Sequence, residues 1–317
     1  MLYFVTHPDY DIPLPPEHRF SASKFSALMS CLIEQNLTRG VRIIFPHPVT
    51  RDDLARVHDR GYIDAVAEGT LDPSALRVLG LPWSERLARR SFLAPAGTYL
   101  AAKKALAHGL ACHAAGGTHH AHYSHGAGFC VFNDLAYAAT RLIERGEAGS
   151  VLILDADVHQ GDGTARILEK ERAVFTCSLH CAKNYPARKA ESDLDVEVPR
   201  GTGDELYLAI LNDTLHRLMD RITPDLVLYD AGVDVHRGDT LGWLDLSDAG
   251  ILARDEMVLD WFCRRGIPVA TVIGGGYIPD QGALAARHAL IFRAAREVYQ
   301  RYFTDGTESA EEASRPV

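Results

Sequence analysis

The chain has 317 residues, a formal net charge of −9 and 47% hydrophobic residues. This length allows one large α/β domain or two small ones with a substantial core, and the composition is that of an ordinary globular enzyme. The negative net charge argues against a general nucleic-acid-binding protein, and no apolar run approaches the length of a membrane span. Residues 1–7 do not resemble a signal peptide and the six cysteines form no CxxC pair. We therefore expect a cytoplasmic protein with reduced thiols.

Short apolar runs alternate with amphipathic stretches along the chain, which predicts alternating strands and helices. The runs are apolar throughout rather than at every second residue, as expected for strands covered on both faces. The predicted strands are residues 2–6, 41–45, 151–154, 173–179, 226–229 and 269–273. The clearest predicted helices are residues 25–37, 94–112, 135–145, 205–221, 249–265 and 282–302. The predicted fold class is α/β, a mostly parallel sheet with helices on both faces.

No internal repeat or linker divides the chain, so we expect a single domain over residues 1–303 and a flexible polar tail over residues 304–317. Two helix starts carry local signals. Thr202 and Glu205 have the spacing of a capping box. Thr50 precedes two aspartates, which predicts a shorter helix with acids in its first turn.

A histidine-rich segment, GGTHHAHYSHGAGFC, occupies residues 116–130. Its glycines favour a loop over a helix, despite the three-residue spacing of His119, His122 and His125. Histidine exchanges protons near neutral pH, and adjacent imidazoles help to keep one of them neutral as a base. The alternative interpretation is a solvated surface loop or an adventitious metal site.

An apolar strand ends in charged residues in the run VLILDADVHQGDG at residues 151–163. Ligands bind at the carboxyl ends of parallel strands, and alternate residues of an extended segment point to one side. Asp155, Asp157 and His159 can therefore converge, and Asp162 follows in a glycine turn. Carboxylate oxygens and an imidazole nitrogen suit a divalent metal such as zinc.

Two later strands also run into polar or glycine-rich segments. In LVLYDAGVD, residues 226–234, either Asp230 or Asp234 can complete a site of two carboxylates and one histidine, although an Asp after a strand is more often a turn former or helix cap. In VIGGGY, residues 272–277, the glycines let the backbone pass close to a ligand. Tyr277 can then donate its O–H to a developing oxyanion, unless this is a turn with a packed tyrosine.

Taken together and in this order, these segments resemble the zinc-dependent histone deacetylase family, which has the arginase/deacetylase fold. The motifs that carry the resemblance are GGTHH, GFCVFND, DADVHQGDG, AGVD and GGGY, and the match extends from about His58 to the final helix. Three details are most similar to the class IV branch and its bacterial relatives: Gln160, the stretch AGVDVHRGDTLGWLDLS and the opening HPDYDIPLPPEHRF.

The resemblance implies a role for each of these residues. One zinc ion per chain would be bound by Asp157, His159 and Asp234. The acid–base groups would be His119 and His120, backed by Asp155 and Asp162, with Tyr277 polarising the substrate carbonyl. A narrow acyl-lysine channel would be lined by Gly128, Phe129, Tyr185, Gly275 and Gly276. A structural potassium ion would lie near Asp155, Asp157, His159, Ser178 and Leu179. The stretch 181–195 departs from the common class I pattern.

The implied activity is zinc-dependent hydrolysis of an amide, removing acetyl or longer fatty acyl groups from lysine side chains or related small acylated amines. An acetylpolyamine deacetylase would use the same chemistry. A ureohydrolase-like enzyme with two manganese ions is a further alternative, although it would require the order Asp-x-His-x-Asp instead of the Asp-x-Asp-x-His found here. A catalytically silent acyl-lysine reader is the non-enzymatic alternative.

Overall fold

The computed structural model describes residues 1–15, 17–21 and 23–304. Apart from residue 304, the predicted tail lies outside the described residues. Within them, one sheet contains eight strands, all paired in parallel, in the order β2-β1-β3-β8-β7-β4-β5-β6. The strands are β1 (Tyr3–Val5), β2 (Arg42–Ile44), β3 (Leu110–His113), β4 (Val151–Asp155), β5 (Val174–Cys181), β6 (Leu194–Val198), β7 (Leu226–Asp230) and β8 (Val269–Val272).

Helices lie in most of the connections between strands, as is usual in a parallel sheet, although β5 and β6 are joined by residues 182–193 without a helix. The helices are α1 (Lys24–Glu34), α2 (Arg51–Leu54), α3 (Arg60–Glu68), α4 (Pro73–Leu79), α5 (Glu85–His108), α6 (Asp134–Glu144), α7 (Asp162–Leu168), α8 (Asp204–Met219), α9 (Asp248–Cys263) and α10 (Gln281–Phe303). Helices α1, α8, α9 and α10 pack together as one group, and α5 with α6 forms another. Both groups contact central strands, so the α/β fold class is confirmed, with helices on both faces of the sheet.

The predicted helix over residues 94–112 is wrong at both ends. Helix α5 begins at Glu85 and ends at His108, and the next residues form the buried central strand β3. Gly109 separates the two elements: its φ of +87° ends the helix, and its N–H donates to Ala105 O at 2.7 Å. The run of alanines before this glycine continues the helical pattern in the sequence, which hides the start of the strand.

One of the two predicted helix starts is confirmed. Thr50 accepts from Asp53 N while the Asp53 side chain accepts from Thr50 N, which is a complete capping box. The capping box predicted at Thr202 is wrong. Helix α8 instead has Gly203 at its N-cap with no side-chain cap, and the Thr202 hydroxyl donates to Pro199 O at 2.8 Å. The side chain of Asp204 accepts from Ser247 N at the start of α9.

The sheet places the ends of its central strands side by side. Strand β4 lies between β7 and β5, and Asp155 at its end is opposite both Asp230 and Ser178. Every residue of β3, β4, β7 and β8 is buried. A rigid, covered sheet therefore holds the polar segments that follow these strands close together.

Candidate metal centre and active site

Two carboxylates and one imidazole meet beyond the ends of β4 and β7. His159 Nδ1 lies 3.0 Å from Asp157 Oδ1 and 3.1 Å from Asp234 Oδ2. One ligand atom from each of the three residues lies within 4.8 Å of the others, and all three side chains are buried. Backbone N–H groups hold the carboxylates: Gly275 N donates to Asp157 Oδ2 at 2.8 Å, and Val158 N donates to Asp234 Oδ1 at 2.9 Å. This donor set fits a divalent metal ion.

The charges of these three groups depend on one another. Burial alone would lower the pKa of His159, but the hydrogen bonds that its imidazole donates to the Asp157 and Asp234 carboxylates raise that pKa to about 10. Burial and the neighbouring Asp157 raise the pKa of Asp234 to about 7. A proton on His159 thus partly neutralises the negative charge of two buried carboxylates. A bound cation would neutralise the same charge.

Glycine is required where the chain passes this cluster. A Cβ atom on Gly275 would lie 2.1 Å from Asp234 Oδ2, and one on Gly232 would lie 2.4 Å from Asp157 Oδ2. Gly276 differs from its neighbour, because its Cβ would lie 2.7 Å from Val233 Cγ2, among residues packed on α10. Of these two neighbouring glycines, both predicted to line the channel, only Gly275 therefore borders the carboxylate cluster.

Two histidine–carboxylate pairs lie next to the cluster. His119 Nδ1 is 2.7 Å from Asp155 Oδ2, and His120 Nδ1 is 2.7 Å from Asp162 Oδ1. The two imidazole ring centroids are 4.1 Å apart. His119 Nε2 lies 3.8 Å from Asp157 Oδ1, so the nitrogen not bonded to Asp155 points towards the carboxylate cluster. A carboxylate on Nδ1 fixes the tautomer and the ring orientation of each histidine.

The two imidazoles differ in charge although they are neighbours. Burial, followed by the adjacent His119, lowers the pKa of His120 to about 3. Burial opposes charging His119 as well, but the Asp155 and Asp157 carboxylates outweigh it and raise the pKa of His119 well above its ordinary value. Near neutral pH the pair therefore consists of a neutral His120 and a protonated His119.

Tyr277 is half-buried and faces the same space. Its ring centroid lies 6.3 Å from that of His159 and 5.7 Å from that of Phe129. The Tyr277 backbone N–H donates to Asp239 Oδ2 at 2.7 Å, which anchors the segment after β8. Burial, with Asp157 and Asp234 nearby, raises the pKa of the phenol well above its ordinary value, so its O–H stays available as a donor.

Aromatic side chains border the approach to the histidines. Phe129 has a φ of +67°, and the preceding Gly128 has a φ of +53°. A Cβ on Gly128 would lie 2.6 Å from His120 Cδ2, so glycine lets this loop lie against the imidazole. The half-exposed Tyr185 ring meets His120 edge-on, with centroids 4.8 Å apart.

The structure distinguishes the two aspartates that the sequence left as alternatives. Asp234 lies with Asp157 and His159, whereas Asp230 lies with His119 and Asp155 in a second group of close ligand atoms. Asp230 is fully buried, and neither of its carboxylate oxygens has a hydrogen-bond partner among the described residues. Burial, followed by the nearby Asp155, raises the pKa of Asp230 well above its ordinary value.

The five residues predicted around potassium all lie buried at the ends of β4 and β5. Asp155 is the register partner of Ser178, and the Ser178 hydroxyl lies 3.1 Å from His180 Nδ1. This arrangement keeps the predicted residues in one neighbourhood, and the potassium site stays a prediction.

A family model, the histone deacetylase domain, matches residues 18–291, which include every polar group described above. This chain belongs to the histone deacetylase family. It is 48% identical over 295 residues to an uncharacterized protein of Picosynechococcus sp., covering 93% of this chain and 98% of that protein. It is 30% identical over 279 residues to histone deacetylase 2 of Arabidopsis thaliana, covering 85% of this chain and 72% of the relative.

The fold of this histone deacetylase family member is also similar to a solved structure. The crystal structure of the HDA15 HD domain aligns with a TM-score of 0.75 at 23% identity, covering 100% of this chain and 99% of that one. A protein named probable deacetylase from Methanothermobacter thermautotrophicus is 28% identical over 302 residues, covering 88% of this chain and 86% of the relative. None of the described helices is long and apolar enough to cross a membrane.

Sequence reasoning missed several polar residues near the site of this family member. Lys24 and Arg90 are buried charged side chains, and both line a cavity that reaches Asp157. Their only local signal is a charged residue beside an apolar helical run, which also occurs on ordinary helix surfaces. Asn133 was missed too: its side-chain nitrogen donates to Ala121 O at 3.2 Å and so braces the histidine loop.

Proposed function

We propose that this histone deacetylase family protein is a zinc-dependent hydrolase that removes acyl groups from the side chain of lysine in peptides or proteins. The observation that carries the proposal is the convergence, in one buried space, of a two-carboxylate, one-histidine cluster, two histidine–carboxylate pairs and a tyrosine O–H. Membership of the deacetylase family supports an acylated lysine or a related acylated amine as the substrate.

Asp157, His159 and Asp234 would hold the zinc ion. When bound, zinc supplies Lewis-acid polarisation of the amide carbonyl and lowers the pKa of water. Three protein ligands leave a coordination position open, as in catalytic rather than structural zinc sites. The backbone N–H groups of Gly275 and Val158 keep both carboxylates in place.

His120 would accept the proton of the attacking water. Its low pKa keeps the imidazole neutral, and the bond between its Nδ1 and Asp162 leaves Nε2 as the nitrogen that would accept the proton. Asp162 is itself held between two imidazoles, because His122 Nε2 lies 3.2 Å from its second oxygen. A positioned base of this kind accelerates a reaction by roughly 10²–10⁴-fold.

His119 and Tyr277 would act on the other atoms of the amide. His119, held protonated by Asp155, donates its proton to the leaving nitrogen. Tyr277 donates its O–H to the carbonyl oxygen as negative charge develops there, a contribution worth about 10²–10³-fold for one donor. The C–N bond then breaks to release the free amine and the carboxylic acid.

A panel of substrates tests the proposal. Purified protein is assayed with acetyl-lysine and fatty-acyl-lysine peptides and with an acetylpolyamine, each with and without a zinc-chelating hydroxamate. We expect hydroxamate-sensitive release of the acyl group, as a carboxylic acid, from the lysine side chain of at least one peptide. If only the acetylpolyamine is hydrolysed, the substrate is a small acylated amine and not an acylated lysine. If the peptides bind without being hydrolysed, the protein is a catalytically silent acyl-lysine reader.

A second candidate function, a binuclear hydrolase of the ureohydrolase type, is favoured by the group formed by His119, Asp155 and Asp230. The Asp230 carboxylate, which has no hydrogen-bond partner among the described residues, could serve a second metal ion. The His119–Asp155 hydrogen bond of 2.7 Å supports the mononuclear proposal instead, because it already engages both groups. The metal content per chain decides: one ion supports the deacylase, and two ions support the binuclear enzyme.

Three further expectations belong to this proposal. The Gln160 side-chain nitrogen donates to Asp195 Oδ1 at 2.8 Å and to Ala190 O at 3.0 Å. These bonds fix the segment after β5, which supports the expected similarity to the class IV branch. A potassium ion would lie among the buried ends of β4 and β5. A reducing, cytoplasmic location is supported by the six free cysteines, and a single catalytic domain over residues 1–303 is supported by the one continuous sheet.

A further inference from the structure

Arg254 is a fully buried arginine on α9 whose guanidinium binds backbone groups next to the metal centre. Nη1 donates to Gly232 O at 2.7 Å and to Ala156 O at 3.2 Å, and Nη2 donates to Ala231 O at 3.2 Å. A guanidinium is planar and its donors have a fixed geometry. One side chain therefore holds three peptide groups in set positions relative to one another.

The three carbonyl groups belong to the two chain segments that carry the proposed zinc ligands. Ala156 directly precedes Asp157 in the segment after β4. Gly232 and the residue before it lie in the segment after β7, which continues to Asp234. The paired register of β4 and β7 ends just before both segments. Arg254 thus joins the two segments where the strand ladder no longer does so.

One of these peptide groups packs directly against a proposed ligand. A Cβ atom on Gly232 would clash with Asp157 Oδ2, so the Gly232 backbone already lies against that carboxylate. The shortest of the three bonds from Arg254 goes to this residue. The same Asp157 oxygen accepts from Gly275 N at 2.8 Å. A shift of the Gly232 peptide group would therefore change the space that the Asp157 carboxylate occupies.

Asp255 and Tyr229 hold the guanidinium in its orientation. Asp255 Oδ1 accepts from Arg254 Nε at 2.9 Å and lies 2.9 Å from Nη2, and it also accepts from the Tyr229 hydroxyl at 2.7 Å. All three side chains are fully buried. Apolar residues of similar volume often stabilise a fold as much as a buried ion pair does. They could not bind the three carbonyl groups, which favours a role for this pair in the geometry of the site.

We propose that Arg254 is a positioning residue for the metal centre, because it holds the segments of Asp157 and Asp234 at the separation that a bound zinc ion requires. The inference rests on the zinc centre of the proposed function. It assigns part of the affinity for the metal to a side chain that is not a ligand. Groups that orient metal ligands typically contribute roughly 10- to 100-fold to metal affinity.

The affinity for zinc tests this inference. The full chain is freed of metal with a chelator and titrated with zinc in competition with a chromogenic chelator. Arg254→Lys keeps a positive charge beside Asp255 but replaces the guanidinium by a single nitrogen, so we expect the dissociation constant for zinc to rise roughly 10- to 100-fold. Cobalt(II) bound in place of zinc should show a shifted visible absorption spectrum in this variant, because that spectrum reports the geometry of the ligands.

A matched control separates positioning from stability. Leu259 is fully buried on the same helix, and its side chain cannot form a hydrogen bond to either segment. Leu259→Ala should lower the free energy of unfolding, which urea unfolding of the metal-free proteins measures, and leave the zinc affinity unchanged. Should Arg254→Lys not fold, Asp255→Asn replaces it. This variant keeps the guanidinium but removes the charge that orients it, and we expect a loss of zinc affinity of about 10-fold, the lower end of the range.

The outcomes distinguish this inference from the proposed function. If the tested variant binds zinc as tightly as the wild type and gives the same cobalt spectrum, the inference is wrong and the zinc centre stands. The inference is also wrong if Leu259→Ala weakens zinc binding equally, because the loss then follows stability. Wild-type protein that binds no zinc would overturn the metal centre and this inference together. Zinc binding that depends on Arg254, in protein that hydrolyses no acyl-lysine peptide, would support the inference and overturn only the deacylase activity.

Discussion

Buried histidines occur in two regions of this protein, and their partners differ. Beyond the ends of β4 and β7, His119 and His159 contact carboxylates, which raise the pKa of each imidazole. In the packed interior, no carboxylate of the described residues pairs with His58 or His113, and burial lowers their pKa values to about 4 and about 3. Burial alone makes a histidine neutral, whereas burial beside carboxylates suits it to the proposed roles of proton carrier or metal ligand.

The interior histidines use both ring nitrogens in neutral hydrogen bonds. His58 Nε2 accepts from Asn133 N at 2.9 Å, while its Nδ1 lies 2.9 Å from His122 O. His113 lies between the Tyr10 hydroxyl at 2.7 Å and the Thr98 hydroxyl at 3.0 Å. At His58 these bonds specify one tautomer, and the bond to His122 O ties this residue to the histidine loop. His120 shares one property with each group of histidines: it contacts a carboxylate, Asp162, and yet it stays neutral.

The largest effect is expected at the metal cluster. Asp157→Ala removes one of two carboxylates from the site, so bound zinc should fall from about one ion per chain to almost none, with loss of activity. Elemental analysis of purified protein measures this, and Asp220→Ala, on an exposed turn, serves as a control. Full zinc content in the Asp157→Ala protein would remove this residue from the ligand set.

The next largest effect is expected at His120, the proposed base. His120→Ala should lower kcat/KM by roughly 10²–10⁴-fold while zinc content stays unchanged, because His120 is not part of the cluster of Asp157, His159 and Asp234. Steady-state kinetics on an acyl-lysine peptide, beside the exposed His47→Ala variant, measures the loss. If both variants retain wild-type turnover, His120 belongs with the structural histidines.

Tyr277→Phe removes a single O–H group from the site. We expect kcat to fall by about 10²–10³-fold, with zinc content and folding preserved, because the anchoring bond to Asp239 comes from the backbone. The same change at Tyr302, on the exposed end of α10, is the control. Near-wild-type turnover of Tyr277→Phe would mean that another group stabilises the carbonyl oxygen.

The smallest effect concerns stability in acid. His58 has a pKa of about 4 when folded and about 6.5 when unfolded, so below pH 6.5 the unfolded state binds more protons and stability falls until about pH 4. This difference between the two pKa values corresponds to roughly 3 kcal/mol in the free energy of unfolding. Urea unfolding of metal-free protein at pH 7 and at pH 4.5 measures the loss, which His58→Gln should reduce and His47→Gln should not. An identical pH dependence in all three proteins would contradict this assignment.

Much of the fold was predictable because its signals are local. The apolar runs of β4 and β7, the acids that follow them and the capping box at Thr50 are each encoded within a few residues. Strand β6 was not predictable in this way, because it lies at the sheet edge with half-exposed residues and lacks an unbroken apolar run. The prediction of the boundary between α5 and β3 was wrong because Gly109 alone separates the two elements.

The sequence by itself determined the α/β fold class and, through its motifs, the family and the residues of the candidate metal centre. Only the tertiary structure decided that Asp234 joins Asp157 and His159 while Asp230 lies beside His119. It also brought Lys24, from the start of α1, and Arg90, from α5, to the same cavity. The physical reason is that strand order and helix packing set these distances, and residues far apart in the chain carry no local sign of the partner they will meet.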